Sequence, residues 1–250
     1  MTAERAHARR LAWDGCLNVR DLGGHATDDG DTTRWGSVIR ADSVRALTDA
    51  GWESLVAHGV TTIVDLRSHG ELAADPPRDA PVEVVHLSVL PEQDDPVWAE
   101  LDVGSADVEK HKELFYVEWL RRWGDRFAAA VAAVGEAPAG PVVVHCQVGK
   151  DRTGLVVALL LRLAGVSAED VAADYAVSSA NLEPLNRPWL DAAPDPVERE
   201  RRERLVATPA ASMLGVLAAV DREHASAAGF LRAQGLSDET LARVRARLRR

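Results

Sequence analysis

His145–Gly154 reads HCQVGKDRTG. The β-branched run PVVV at 141–144 precedes it and reads as a strand, and Leu155–Ala164 follows as a helix that is apolar almost all round. The ten residues are therefore a strand–loop–helix connection. Such a connection turns successive backbone N–H groups, and the positive end of the helix, into the concavity of the loop, which makes it an anion site. The same end favours a thiolate over a thiol and marks Cys146 as a candidate nucleophile. Six positions on, Arg152 offers a planar fork of donors for two oxygens of a phosphate. Gly149 and Gly154 permit a tight loop and close backbone approach, and Thr153 is placed to donate its hydroxyl to the sulfur. A Cys-x5-Arg spacing around an amide cradle fits phosphoryl transfer through a cysteinyl-phosphate. The residues expected to bind the phosphate are Gln147, Val148, Gly149, Thr153 and Gly154. The competing reading is a buried, inert cysteine beside a surface arginine.

Outward from this loop, short β-branched runs alternate with helical stretches. Strands are expected at Ser37–Arg40, Val60–Leu66, Val82–Leu87 and Val142–His145. Thr48 caps a helix to His58, closed by Gly59, and Asp107–Val134 reads as one long helix or two. Within it Phe115, Trp119 and Trp123 recur at helical spacing and read as core. Strands separated by helices predict an α/β fold with a mostly parallel central sheet flanked by helices. Ser167 caps a further helix to about Ala180, and Ser237 starts a last one. Five prolines break 184–209 into short pieces, among them the charged ERERRER of Glu198–Arg204, which reads as a solvated helix. The expected organisation is one domain over 1–250 with an insertion at about 184–209.

With 250 residues, 46% hydrophobic and 27% charged, the chain is long and apolar enough to build a real core. The net charge of −10 argues against a nucleic-acid partner. No apolar run reaches the length that spans a bilayer, and the polar N-terminus lacks a signal-type core, so a cytoplasmic location without stable membrane insertion is expected; non-classical export stays open. Of 29 basic residues only Lys110, Lys112 and Lys150 are lysines, so a lysine's position carries information here. The eight histidines show no metal-ligand spacing, and neither a metal nor an organic cofactor is expected.

Beyond the loop, NVRDLGG at Asn18–Gly24, IRADS at Ile39–Ser43, IVDLRS at Ile63–Ser68 with Glu71, GVSAEDVAADYAVS at Gly165–Ser178 and the C-terminal GLSDETLARVRARL complete a pattern. Together with HCxxGKDRTG it resembles the bacterial atypical tyrosine phosphatases, a group that includes mycobacterial enzymes active on phosphotyrosine and phosphoinositides. The resemblance implies a cysteine-phosphatase fold with Cys146 as nucleophile and Arg152 as phosphate clamp. It also implies that Lys150 and Asp151 are the loop pair distinguishing these enzymes, with Lys150 available to a second phosphate. The expected substrate is a phosphorylated protein or a phosphoinositide, and inorganic phosphate is the product.

A leaving oxygen needs a proton donor. Asp65, at the C-terminal end of an expected central strand and within the DLR of the resemblance, competes for that role with Asp151. Asp94, Asp95, Asp102 and Asp107 stand behind them on an acidic stretch. NVRDLGG is expected to be a latch, with Arg20 and Asp21 bonding the loop's backbone from behind, and His145 to orient the loop. Cys16 reads as a bystander, the alternative being an oxidative partner for Cys146. In the resembling family, helices after the loop form a lid, which would bring Trp189 and Leu190 over the site; a surface excursion is the alternative. The reading is thus a cysteine-dependent phosphate-monoester hydrolase acting on phosphotyrosine, with phosphoserine and phosphothreonine as further candidates. An inositol-polyphosphate or phosphoinositide phosphatase with the same loop is the alternative among enzymes. A pseudophosphatase that binds without turnover is the alternative of another class.

Overall fold

The computed structural model describes residues 8–76, 78, 82–100 and 108–249. Five strands form one sheet: β1 (Arg20–Asp21), β2 (Val38–Ala41), β3 (Thr62–Asp65), β4 (Glu83–His86) and β5 (Val142–His145). Their spatial order is β1-β2-β5-β3-β4, parallel throughout except for the antiparallel β1 at one edge. The sheet is thus mostly parallel and flanked by helices. The three central strands are fully buried, as strands covered on both faces must be. Their pleat divides the core. Val142, Val144, Val64 and Val38 point into the larger cluster, while Val143, Ile63 and Ile39 point into a smaller one with Trp13, Trp52 and Leu55.

The smaller cluster is roofed by α1 (Asp49–Ala57), capped by Thr48. After β3 comes a short α2 (His69–Ala74), closed by a capping box in which Ser68 and Glu71 bond each other's backbone. After β4 come α3 (Val97–Glu100) and the long α4 (Val108–Glu136), whose dihedrals leave the helical range at Trp123 (φ −128°, ψ 27°). Trp119 and Trp123 lie in the larger core and Phe115 packs half-buried against it, with the Trp98 ring touching all three. The helix after the loop, α5 (Asp151–Leu163), begins four residues before the expected start, so Asp151–Gly154 form its first turn. It is followed by α6 (Ala168–Asn181), α7 (Glu183–Asp191), α8 (Pro196–Val206), α9 (Ala210–His224), α10 (Ala227–Ala233) and α11 (Asp238–Leu248). Both α7 and α8 lack buried residues, and α8 carries the predicted Glu198–Arg202 and Glu200–Arg204 pairs on its surface. Among the described residues no single helix is long and apolar enough to cross a membrane.

Candidate active site

Parallel register sets the site. Ala41, His145 and Asp65 are side-by-side partners at the C-terminal ends of β2, β5 and β3, so the segments after these strands emerge together. This is the edge where open parallel sheets bind ligands. Cys146 is the first residue past β5 and is buried. The loop then turns at Gly149 (φ +63°), where a Cβ would lie 2.2 Å from the Ala41 carbonyl oxygen, so only glycine fits. Lys150 leads into α5 without capping its first turn by a side chain, which leaves that turn's amides to the loop. Thr153 is fully buried, and its hydroxyl has no partner among the described residues.

What holds the loop's shape lies behind it. The Asn18 side-chain amide donates to the carbonyls of Val148 (3.2 Å) and Gly149 (3.0 Å), and Arg40 donates to Gly149 as well (2.7 Å). Carbonyls drawn backwards leave the amides to face forward, which is the polarity an oxyanion requires. Contrary to expectation, Arg20 does not bond the loop's backbone but stands one step further back. It donates to Asn18 Oδ1 (2.6 Å) and pairs with Asp174 of α6, which also takes Arg40 (2.7 Å). Burial opposes Asp174's charge, but Arg20 and Arg40 hold its carboxyl far below the usual range. Asp21 departs from the expected role: its oxygens accept from the amides of Gly23 and Gly36, both 2.7 Å, so it ties its own turn to the start of β2 and does not bond the phosphate loop. His145 is buried beneath the loop, its Nδ1 donating to the Cys146 carbonyl (3.1 Å), and burial pushes its proton affinity down.

The two candidate acids part company. Asp65 is sealed, 1% exposed, and both its oxygens are taken by the Arg67 guanidinium at 2.8–3.1 Å. Burial works against its charge, but His145 and Arg67 hold it below the usual carboxylate range. Burial and saturation by Arg67 speak against the role of proton donor expected of Asp65. Asp151 instead has a partly open side chain (26% exposed) and lines a cleft of about 520 Å³. The Tyr116 hydroxyl donates to it, and Lys150 (3.6 Å) and Lys112 (3.8 Å) flank it. Burial raises its proton affinity, yet the two ammoniums and the tyrosine hold it below its ordinary value. Phe115, Tyr116 and Trp119 line the cleft from α4 and Arg201, Arg204 and Leu205 from α8. Asp94 and Asp95 lie near α3, where Asp95 caps the Val97 amide, and Asp102 and Asp107 lie outside the described residues.

Arg152 is gripped by Glu71 of α2 through both terminal nitrogens (2.5 and 2.8 Å), which fixes the plane of its fork. Lys150 Nζ donates to the Leu205 carbonyl at the end of α8 (2.5 Å), and Lys112 shares that oxygen (3.2 Å). The segment after α6 therefore does reach the loop, but through Leu205. Trp189 instead stacks under Arg202, and Leu190 lines a separate crevice against α6 and α8. Cys16 is a free thiol donating to the Ser43 carbonyl (3.4 Å), and burial beside Asp42 pushes its proton affinity up. Lys112, Tyr116, Arg40 and Asp174 were not singled out from sequence; the scarcity of lysine was the one available signal for Lys112.

Known proteins resemble this chain along its length. A tyrosine-protein phosphatase of Nostoc commune is 28% identical over 226 residues, 84% of this chain and 73% of that one. The triple specificity protein phosphatase PtpB of Mycobacterium tuberculosis is 28% identical over 268 residues, 92% of this chain and 96% of that one. The solved structure of Pseudomonas aeruginosa TpbA is similar at 19% identity over 62% of this chain and 78% of that one, with a TM-score of 0.33. The model of the tyrosine phosphatase family matches residues 11–250, so this chain belongs to that family and is a phosphotyrosine phosphatase.

Proposed function

We propose that this protein hydrolyses phosphotyrosine through a cysteinyl-phosphate formed on Cys146, with Asp151 as the proton donor. The reaction runs in two steps. The Cys146 thiolate attacks phosphorus in line while the loop amides and Arg152 hold the three equatorial oxygens, and the leaving oxygen takes the Asp151 proton. Water then attacks the phosphocysteine, its proton passing to Asp151, and releases inorganic phosphate with the thiolate restored. One observation carries the assignment of the acid: Asp151 alone of the two candidates has an open side chain, and it faces the aromatic cleft where a tyrosyl leaving group fits. Lys150, at the loop's entry into α5, is suited to a second phosphate, which makes phosphoinositides a further substrate class, with phosphoserine and phosphothreonine beside them. The α7–α8 pair, seated on the loop by Leu205, acts as a lid that must move for a bulky substrate to enter.

Two comparisons test this. Cys146→Ser should reduce turnover of 4-nitrophenyl phosphate to background; wild type with equally low rates would make the protein a binding module. Asp151→Asn should slow phosphotyrosine by roughly 10²–10⁴-fold and 4-nitrophenyl phosphate much less, because only the poorer leaving group needs the proton. Asp65→Asn showing that selectivity instead would return the role to Asp65.

A further inference from the structure

Lys112 is a cation that neither chemical step uses. It lies on α4, far in sequence from the loop, and is only 8% exposed. Its Nζ stands 3.2 Å from the Leu205 carbonyl, 3.8 Å from Asp151 Oδ1 and 5.9 Å from the centre of the Tyr116 ring. Burial pushes its ammonium down to about 8, with Lys150 adding to the effect and Asp151 opposing it. The surroundings of Asp151 are otherwise fixed. Lys150 and Arg152 flank it from its own segment, Tyr116 from α4 and Tyr175 of α6 from behind Tyr116, while His111 of α4 and Arg201 and Arg204 of α8 line the same cleft. Lys150 and Arg152 belong to the phosphate loop, and Arg201 and Arg204 to α8.

We propose that Lys112 is a positioning residue that fixes the Asp151 carboxyl at the inner end of the cleft and sets how strongly it holds its catalytic proton. This rests on the reading of Asp151 as the donor. A phosphate dianion in the loop raises the proton affinity of Asp151, and the neighbouring ammonium lowers it; the balance makes a protonated but readily dissociating acid. Without the Lys112 ammonium the dianion is opposed only by Lys150, Arg152 and the Tyr116 hydroxyl, so Asp151 keeps its proton to higher pH and releases it less readily. The test is kcat against pH for phosphotyrosine and for 4-nitrophenyl phosphate in wild type, Lys112→Met and Lys112→Arg. Lys112→Met should move the alkaline limb for phosphotyrosine upward by about one pH unit and lower its plateau several-fold. Lys112→Arg, which keeps the charge, should leave the limb in place and show that the position tolerates substitution. A tether that merely holds α8 would change KM and leave the limb where it was, and that result overturns the proposal. Asp151→Asn, run alongside, separates the layers. If it slows both substrates alike, the donor reading fails and the proposal with it. If it is selective while the Lys112→Met limb stands still, only the role of Lys112 falls.

Discussion

Gly149 shows how narrowly single positions are constrained. Its φ of +63° and the Ala41 carbonyl 2.2 Å from a would-be Cβ oppose any side chain for two separate reasons. Gly30 has φ +86° but open space around its missing Cβ, so it isolates the first reason. Gly30→Ala should cost about 1–2 kcal/mol in urea unfolding, the strain of a left-handed alanine. Gly149→Ala should cost more and also abolish binding of inorganic phosphate in a titration, because the loop must shift to relieve the clash. Equal costs with phosphate binding retained would mean that the loop is more pliable than its packing indicates. At this scale the sequence was informative about which residues share the loop, since HCQVGKDRTG holds Cys146 and Arg152 within one decapeptide. It was uninformative about which aspartate is open to solvent, because Asp65 and Asp151 differ in what the rest of the fold packs against them.

At the level of elements, one buried carboxylate joins three of them. Asp174 of α6 accepts Arg20 from β1 and Arg40 from β2, whose Cα positions are direct partners across the strand pair. Asp174→Asn leaves two buried guanidiniums short of charge, so an expected loss of about 3–5 kcal/mol in unfolding free energy follows, with the loop's backbone support failing at the same time. A loss below about 1 kcal/mol, the range of exposed pairs, would show the network to be solvated. The central strands were legible because strands covered on both faces read as continuous apolar runs, although β3 is shorter at both ends than Val60–Leu66. Strand β1 was not, since it is two charged residues whose burial is made tolerable by partners distant in sequence or outside the strand, Asp174 of α6 for Arg20 and the amides of Gly23 and Gly36 for Asp21. The helix after the loop was placed late for a related reason: its first turn is polar, and periodicity sees only the apolar turns that follow. The latch motif was located correctly while its inner workings were not. Asn18 and Arg40 bond the loop directly, whereas Asp21 serves its own turn.

Over the whole molecule, the net charge of −10 gives no long-range pull on a phosphorylated partner, so binding rests on amides and guanidinium at contact distance. Acid sensitivity has a specific source. His25 is 2% exposed beside Arg9, its Nε2 has no hydrogen-bond partner among the described residues, and burial pushes its pKa down to about 4. The unfolded chain takes up this proton near pH 6.5 and the folded one only near 4, so stability falls as pH drops through that window and flattens below it. The loss is on the order of 3 kcal/mol. His25→Gln should flatten the profile of unfolding midpoint between pH 6.5 and 4; an unchanged slope would place the sensitivity elsewhere. The bonds that shape the phosphate loop have a consequence for how activity arises during synthesis. Asn18 reaches Gly149 across 131 residues and Arg20 reaches Asp174 across 154. A chain ending at residue 166 contains the entire decapeptide, yet it lacks the carboxylate that anchors the supporting arginines. Such a fragment should be catalytically silent despite an intact signature. Turnover should therefore report completion of the fold.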